Sequence, residues 1–170
     1  MSKKLTASAI NSAAKKAYSM KEFHLTDNQG EIWDVDIDVY MNPVHVVDMV
    51  QNIISLSAKM SDENISDVFD LEAHWTLLYF IEILKHYTSL DIKEKESAEK
   101  TLTAYATLFN SLGSLDLLDA IRECFDKERW ELILNKFRYT LAEMSEFISE
   151  ETQRYIAENN IGLEAEKVAE

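Results

Sequence analysis

Glycine, proline and cysteine are nearly absent: three, one and one in 170 residues. With glycines only at positions 30, 113 and 162, neither GxGxxG nor GxxxxGK[ST] can be written, so no glycine-rich loop is available to cradle phosphate. A single cysteine, Cys124, excludes a disulfide framework within one chain and fits a reducing compartment. It lies in a helical pattern, AIRECF, with no base beside it, and reads as structural. Basic residues are scarce, 17 against 31 acidic, for a net charge of −14. Such a surface repels nucleic-acid phosphates and anionic lipid head groups and suits basic protein partners. Long apolar runs are missing as well: WTLLYFIEIL is ten residues long and contains Glu82, too short to span a bilayer. The first 20 residues lack the apolar core of a signal peptide. The expected location is the cytoplasm, without nucleic-acid or membrane partners.

What is present is a folding sequence. Hydrophobic residues make up 46%, enough for one domain with a core, and few breakers among many Leu, Ala, Glu and Lys residues predict mostly helix. Residues 1–19 read as a basic arm, with Lys3, Lys4, Lys15 and Lys16 and no acid, helical only when docked. Residues 20–158 read as a single domain, and 159–170 as a polar tail that frays. Within the domain, MKEFHLT and EIWDVDIDVY both alternate with period two around DNQG. A three-residue loop, Asn28-Gln29-Gly30, places Leu25 opposite Trp33 and Phe23 opposite Val35, and on the other face His24 opposite Asp34 and Glu22 opposite Asp36. A loop one residue longer sets Phe23 against Asp34, so the pattern selects the shorter one. Trp33, Val35 and Ile37 are then expected to face a core, and Asp34, Asp36 and Asp38 solvent.

Asn42-Pro43 is a helix start, a capping residue followed by proline at the first helical position. Apolar spacing predicts five helices, over about 43–60, 67–88, 94–112, 115–125 and 127–158. Gly113 is expected to stop the third and Ser114 to cap the fourth. In the last helix Trp130, Leu134, Phe137, Leu141, Met144 and Ile148 repeat at heptad-like spacing. That row is longer than a small bundle needs, so part of it either lengthens the domain or meets another chain. The fold class is therefore mainly α, a bundle-like domain of about five helices with an N-terminal β-hairpin.

No catalytic signature emerges. An EF-hand loop opening at Asp34 would need glycine at its sixth position and an acid at its twelfth, where Val39 and His45 stand. Glu82 and His86, at i and i+4, are one residue too far apart for a di-metal Glu-x-x-His motif and read as a surface pair. Glu72 and His74 lie a few turns before them, and His45 is expected to be solvated. The carboxylate pairs Glu123/Asp126, Glu128/Glu131 and Glu143/Glu146 have magnesium-ligand spacing but straddle a helix boundary and lack an EExxE companion. No catalytic residue, metal ligand or cofactor is assigned, and the chain is expected not to be an enzyme. The candidate partner-binding residues are Phe137, Leu141, Met144 and Ile148 on the last helix and Asp34, Asp36 and Asp38 on the hairpin.

MSKKLTASAINSAAKKAY, then KEFHLTDNQGEIWDVDIDVYMNPVHVVDMVQNII, then an acidic helical body resembles the tail assembly chaperones of long-tailed bacteriophages, particularly those of Gram-positive hosts. The resemblance is one of size, acidity and helical outline, and it assigns no residue a role. It implies a non-enzymatic protein that binds the long helical tape-measure protein and recruits tail-tube subunits; the long row on the last helix, independently of the resemblance, is compatible with a homo-oligomer. The alternative is an acidic DNA-mimic inhibitor of a nucleic-acid-binding protein, motivated by the row Asp34, Asp36, Asp38 with Glu22.

Overall fold

The computed structural model describes the backbone of residues 6–65 and 71–158, and the side chains of these except at 16–17, 71–74 and 147–158. The order is α1 (Ala7–Ala17), β1 (Lys21–Thr26), β2 (Ile32–Ile37), a 3-10 turn (Pro43–His45), α2 (Val46–Asp62), α3 (Leu71–Tyr87), α4 (Ala98–Ser114), α5 (Leu117–Cys124) and α6 (Lys127–Glu158). The protein is mainly helical with an N-terminal hairpin, as the composition predicts. The expected arm contains a sixth helix. Thr6 starts it by accepting the Ala9 backbone N–H (3.1 Å), and residues 6–15 stay exposed along its length. The expected tail, 159–170, lies outside the described residues.

The hairpin has the register that alternation selected: Glu22 opposite Asp36, Phe23 opposite Val35, His24 opposite Asp34 and Leu25 opposite Trp33. Gly30 takes φ +84°, where a side chain is disfavoured, and its N–H reaches the Asp27 carbonyl (3.1 Å). Leu25, Val35 and Ile37 enter the core. Trp33 does not, being 46% exposed. Its indole N–H donates to Asp27 Oδ2 (2.9 Å), which holds the ring against the turn. The same Asp27 accepts the backbone N–H groups of Gln29 and Glu31. The indole bond leads the causes that hold its carboxyl below the usual range, against the opposing effect of burial.

β2 ends at Ile37, three residues before alternation suggested, because the chain turns there. Asp38 is consequently buried, at 4% exposure, rather than facing solvent with Asp34 and Asp36. Its backbone N–H reaches the Tyr87 carbonyl (2.9 Å) and its Oδ2 accepts the Asn42 N–H (3.0 Å). Met41 sits at φ +49° with its side chain wholly buried, an uncommon conformation for a side-chain-bearing residue, held in place by that burial. The Tyr87 hydroxyl donates to the Asn42 carbonyl (2.9 Å), Asp126 N–H to Val39 O (3.0 Å), and Lys136 Nζ to Pro43 O (3.1 Å). This corner thus joins the hairpin to α3, α5–α6 and the start of α2. Asn42 Oδ1 accepts Val44 N–H (3.2 Å), so the Asn-Pro start reads true.

The helix ends follow capping chemistry. α2 closes on Asn64 at φ +54°, with Asn64 N–H on Ser61 O and Ile65 N–H on Met60 O, the double bond of a Schellman motif. α4 starts on Ser97, whose hydroxyl accepts Lys100 N–H (3.2 Å). It does not stop at Gly113, however. The helix continues through Ser114, and Asp116 supplies the left-handed turn before α5, so Ser114 is no cap. α6 starts on Asp126, whose Oδ1 accepts Arg129 N–H (3.0 Å). The core runs between the helices: Met49, Val50, Ile53, Leu78, Ile81, Leu84, Ile133 and Phe137 are all nearly or wholly buried.

Candidate functional site

The heptad-like row on α6 is used inside the chain. Phe137 is wholly buried, its ring 5.2 Å from Trp75 and 5.0 Å from Tyr79. Trp130, Leu134, Leu141 and Met144 are half-buried and pack on the same core. Phe137 is therefore not available to a partner, and Leu141 and Met144 offer only part of their surface, because spacing alone cannot say which helix covers an apolar row. Ile148 lies on α6, but its side chain is outside the described residues, as are those of Glu72 and His74.

A different row on α6 does face out. Leu132 is 47% and Tyr139 65% exposed, one heptad apart and on one face with Glu128, Lys136 and Glu143. Lys136 reaches across to Pro43, which brings this face beside the start of α2, where Val44 (62%) and Val47 (43%) are also exposed. The result is an apolar strip across two elements with carboxylates at its ends. Sequence reasoning missed it because Leu132 and Tyr139 fall off the heptad row. A second apolar residue flanked by charge, Tyr40, carries Lys21 Nζ 5.2 Å above its ring.

On the hairpin's outer face Asp34 and Asp36 are exposed as expected, with Glu22 opposite Asp36. His24 Nδ1 lies 2.6 Å from Asp34 Oδ1, and that hydrogen bond raises the His24 pKa above its ordinary value. Among the carboxylate pairs, Asp126 is committed to capping α6, while Glu123 and Glu131 share a cleft of about 410 Å³ with Arg122, Lys127, Phe125 and Trp130. The charges of that cleft are mixed and largely cancel.

The third feature is a polar cluster where α2 meets the end of α3. Glu82 is 3% exposed, so it is no surface residue. It accepts Lys85 Nζ at Oε1 (2.7 Å) and Asn52 Nδ2 at Oε2 (2.8 Å), and His86 Nε2 stands 3.4 Å from Oε2. Burial pushes the Glu82 carboxyl up, but His86, Lys85 and Asn52 together outweigh it and hold it below the usual range. Lys85 is drawn the other way: burial lowers it, and Glu82 raises it further. His45 is half-buried, not solvated. Its ring lies 5.4 Å from that of His86 and edge-on to Tyr87 at 5.6 Å. Burial, then the neighbouring His86, lowers its pKa from the ordinary value.

The model of one protein family, described as YomO, matches residues 7–168. No curated protein and no solved structure matches the chain.

Proposed function

The chain belongs to the YomO family, which points to a phage-related protein; from its acidic helical outline and its exposed apolar surface we propose a non-enzymatic binding and assembly protein that acts as a tail assembly chaperone. Its partners in this reading are a long helical tape-measure protein and tail-tube subunits. The observation that carries it is the exposed strip of Leu132 and Tyr139 beside Val44 and Val47. An amphipathic partner helix can lay its apolar side along such a strip, read as anchors at i, i+3, i+4 and i+7. Glu128 and Glu143 at the strip's ends stay hydrated, and the net charge of −14 repels a second copy of the complex. That combination holds an aggregation-prone helix in solution until its proper neighbour displaces it. The resemblance to phage tail assembly chaperones, in acidity and helical outline, supports the same reading.

The test is co-expression with a long helical tape-measure protein. The wild type is expected to bring it into the soluble fraction. Leu132→Asp with Tyr139→Asp is expected to lose that effect while keeping an unchanged helical melt, since both side chains are exposed. Undiminished capture by the double variant would refute the strip as the contact.

A DNA-mimic role keeps one favouring observation, the exposed carboxylates Glu22, Asp34 and Asp36 on one hairpin face. The burial of Asp38 and the pairing of Asp34 with His24 shorten that row of charges. Binding of this kind falls steeply with salt, whereas capture through the apolar strip does not.

A further inference from the structure

Two groups of side chains among the described residues bring three potential metal ligands together: Glu22, His24 and Asp34 on the hairpin, and His45, Asp48 and His86 between α2 and α3. The hairpin group is fully exposed, and His24 is already spent on Asp34. The second group is built differently. His45 and Asp48 are three residues apart at the start of α2 and so share a face, while His86 comes from the last turn of α3. One ligand atom from each lies within 4.8 Å of the other two. His45 is fixed by ring contacts to His86 and Tyr87. The α3 side is fixed more firmly still, because Glu82 behind His86 is buried and held by Asn52 and Lys85. A carboxylate in that position is what orients a ligating imidazole. Asp48, by contrast, is exposed and free to turn toward an ion.

We propose that His45, Asp48 and His86 bind one divalent transition-metal ion of the zinc class, clamping the start of α2 to the end of α3. Two imidazoles and one carboxylate suit zinc, cobalt, nickel or copper, whereas calcium and magnesium favour oxygen ligands throughout. Ligand atoms held about 2.0–2.1 Å from one ion lie closer together than that 4.8 Å limit, and the exposed Asp48 is the ligand that moves inward. Three protein ligands leave a coordination position open to water or to a partner side chain. Because the ion binds only the folded arrangement, it raises the melting temperature. The two histidines lie 41 positions apart on different elements, which is why no motif in the sequence announces them. The proposal stands apart from the chaperone reading and does not depend on it.

The test uses the full-length protein stripped with a chelator and titrated with Zn²⁺ in a calorimeter, and with Co²⁺ followed by visible absorption. One ion per chain is expected, with cobalt bands showing nitrogen ligation and a melt that rises with added metal. Asp48→Asn is the deciding variant, because its side chain is exposed and its loss leaves the fold intact. It is expected to weaken binding about tenfold or more, and His45→Ala likewise, on the scale by which ligand-shell changes act. His24→Ala is expected to change nothing. Absence of saturable binding, equal affinity in Asp48→Asn, or loss of binding in His24→Ala would each overturn the proposal.

Discussion

At the scale of single residues, the informative positions are those whose chemistry and burial disagree with their place in the pattern. Glu82 is the clearest. With His86 four residues on, it reads as half of a surface pair, yet it is buried and holds Asn52 and Lys85. Its pKa is lower in the folded chain than its unfolded value of 4.5, so its contribution to stability is complete above that value and fades as the pH falls below it. Glu82→Gln is therefore expected to be less stable than wild type at pH 7, with the gap narrowing through the acid range. Urea melts at a series of pH values measure this, and a gap independent of pH would contradict it. Phe137 shows the converse error. Its place on a heptad row suggested a partner contact, but it is a core residue against Trp75 and Tyr79. Phe137→Ala is expected to cost about 3–5 kcal/mol of folding stability, read from denaturant midpoints. A fall in partner capture without that loss of stability would mean the residue acts as a contact after all.

At the scale of elements, the hairpin was the most legible part of the chain. Period-two alternation on both strands leaves only one register that puts Phe23 opposite Val35 and His24 opposite Asp34, and that register is present. Gly30 at φ +84° completes the loop, with nothing within 4 Å of where a side chain would begin. Gly30→Ala is thus expected to destabilise by backbone strain alone, by about 1–2 kcal/mol, without a steric clash; an unchanged thermal midpoint would rule the strain out. The helices were legible from apolar spacing and capping residues, and α6 matches its expected span of 127–158. What spacing could not show was where alternation stops mattering. Asp38 continues the strand pattern, but a turn through Met41 at positive φ carries it inside to meet Asn42. Nor could it pair helices. The row Trp130–Met144 looked free because nothing local says that α2 and α3 cover it, and Leu132 and Tyr139 looked incidental because they miss that row. The His45–Asp48–His86 group was hidden for the same reason, since its members come together only through the packing of α2 on α3.

At the scale of the whole molecule, charge and apolar exposure are distributed unevenly, and that distribution is the physical basis of the proposed role. A lysine-bearing helix, exposed along residues 6–15, precedes a strongly acidic body whose described apolar exposure includes the strip on α6 and the start of α2. Scattered exposed hydrophobics need no explanation, but a strip shared by two elements and ended by carboxylates fits a partner that buries an apolar helix face. No helix among the described residues is long and apolar enough to cross a membrane, so this strip is not part of a helical span. The most direct test of the central claim is the amount of tape-measure protein recovered in the soluble fraction on co-expression with the wild type and with Leu132→Asp/Tyr139→Asp. Recovery with the wild type and its loss with the double variant, at equal helical content and equal melting temperature, is the expected result. Equal recovery with both proteins, or none with either, would contradict a chaperone that works through this surface.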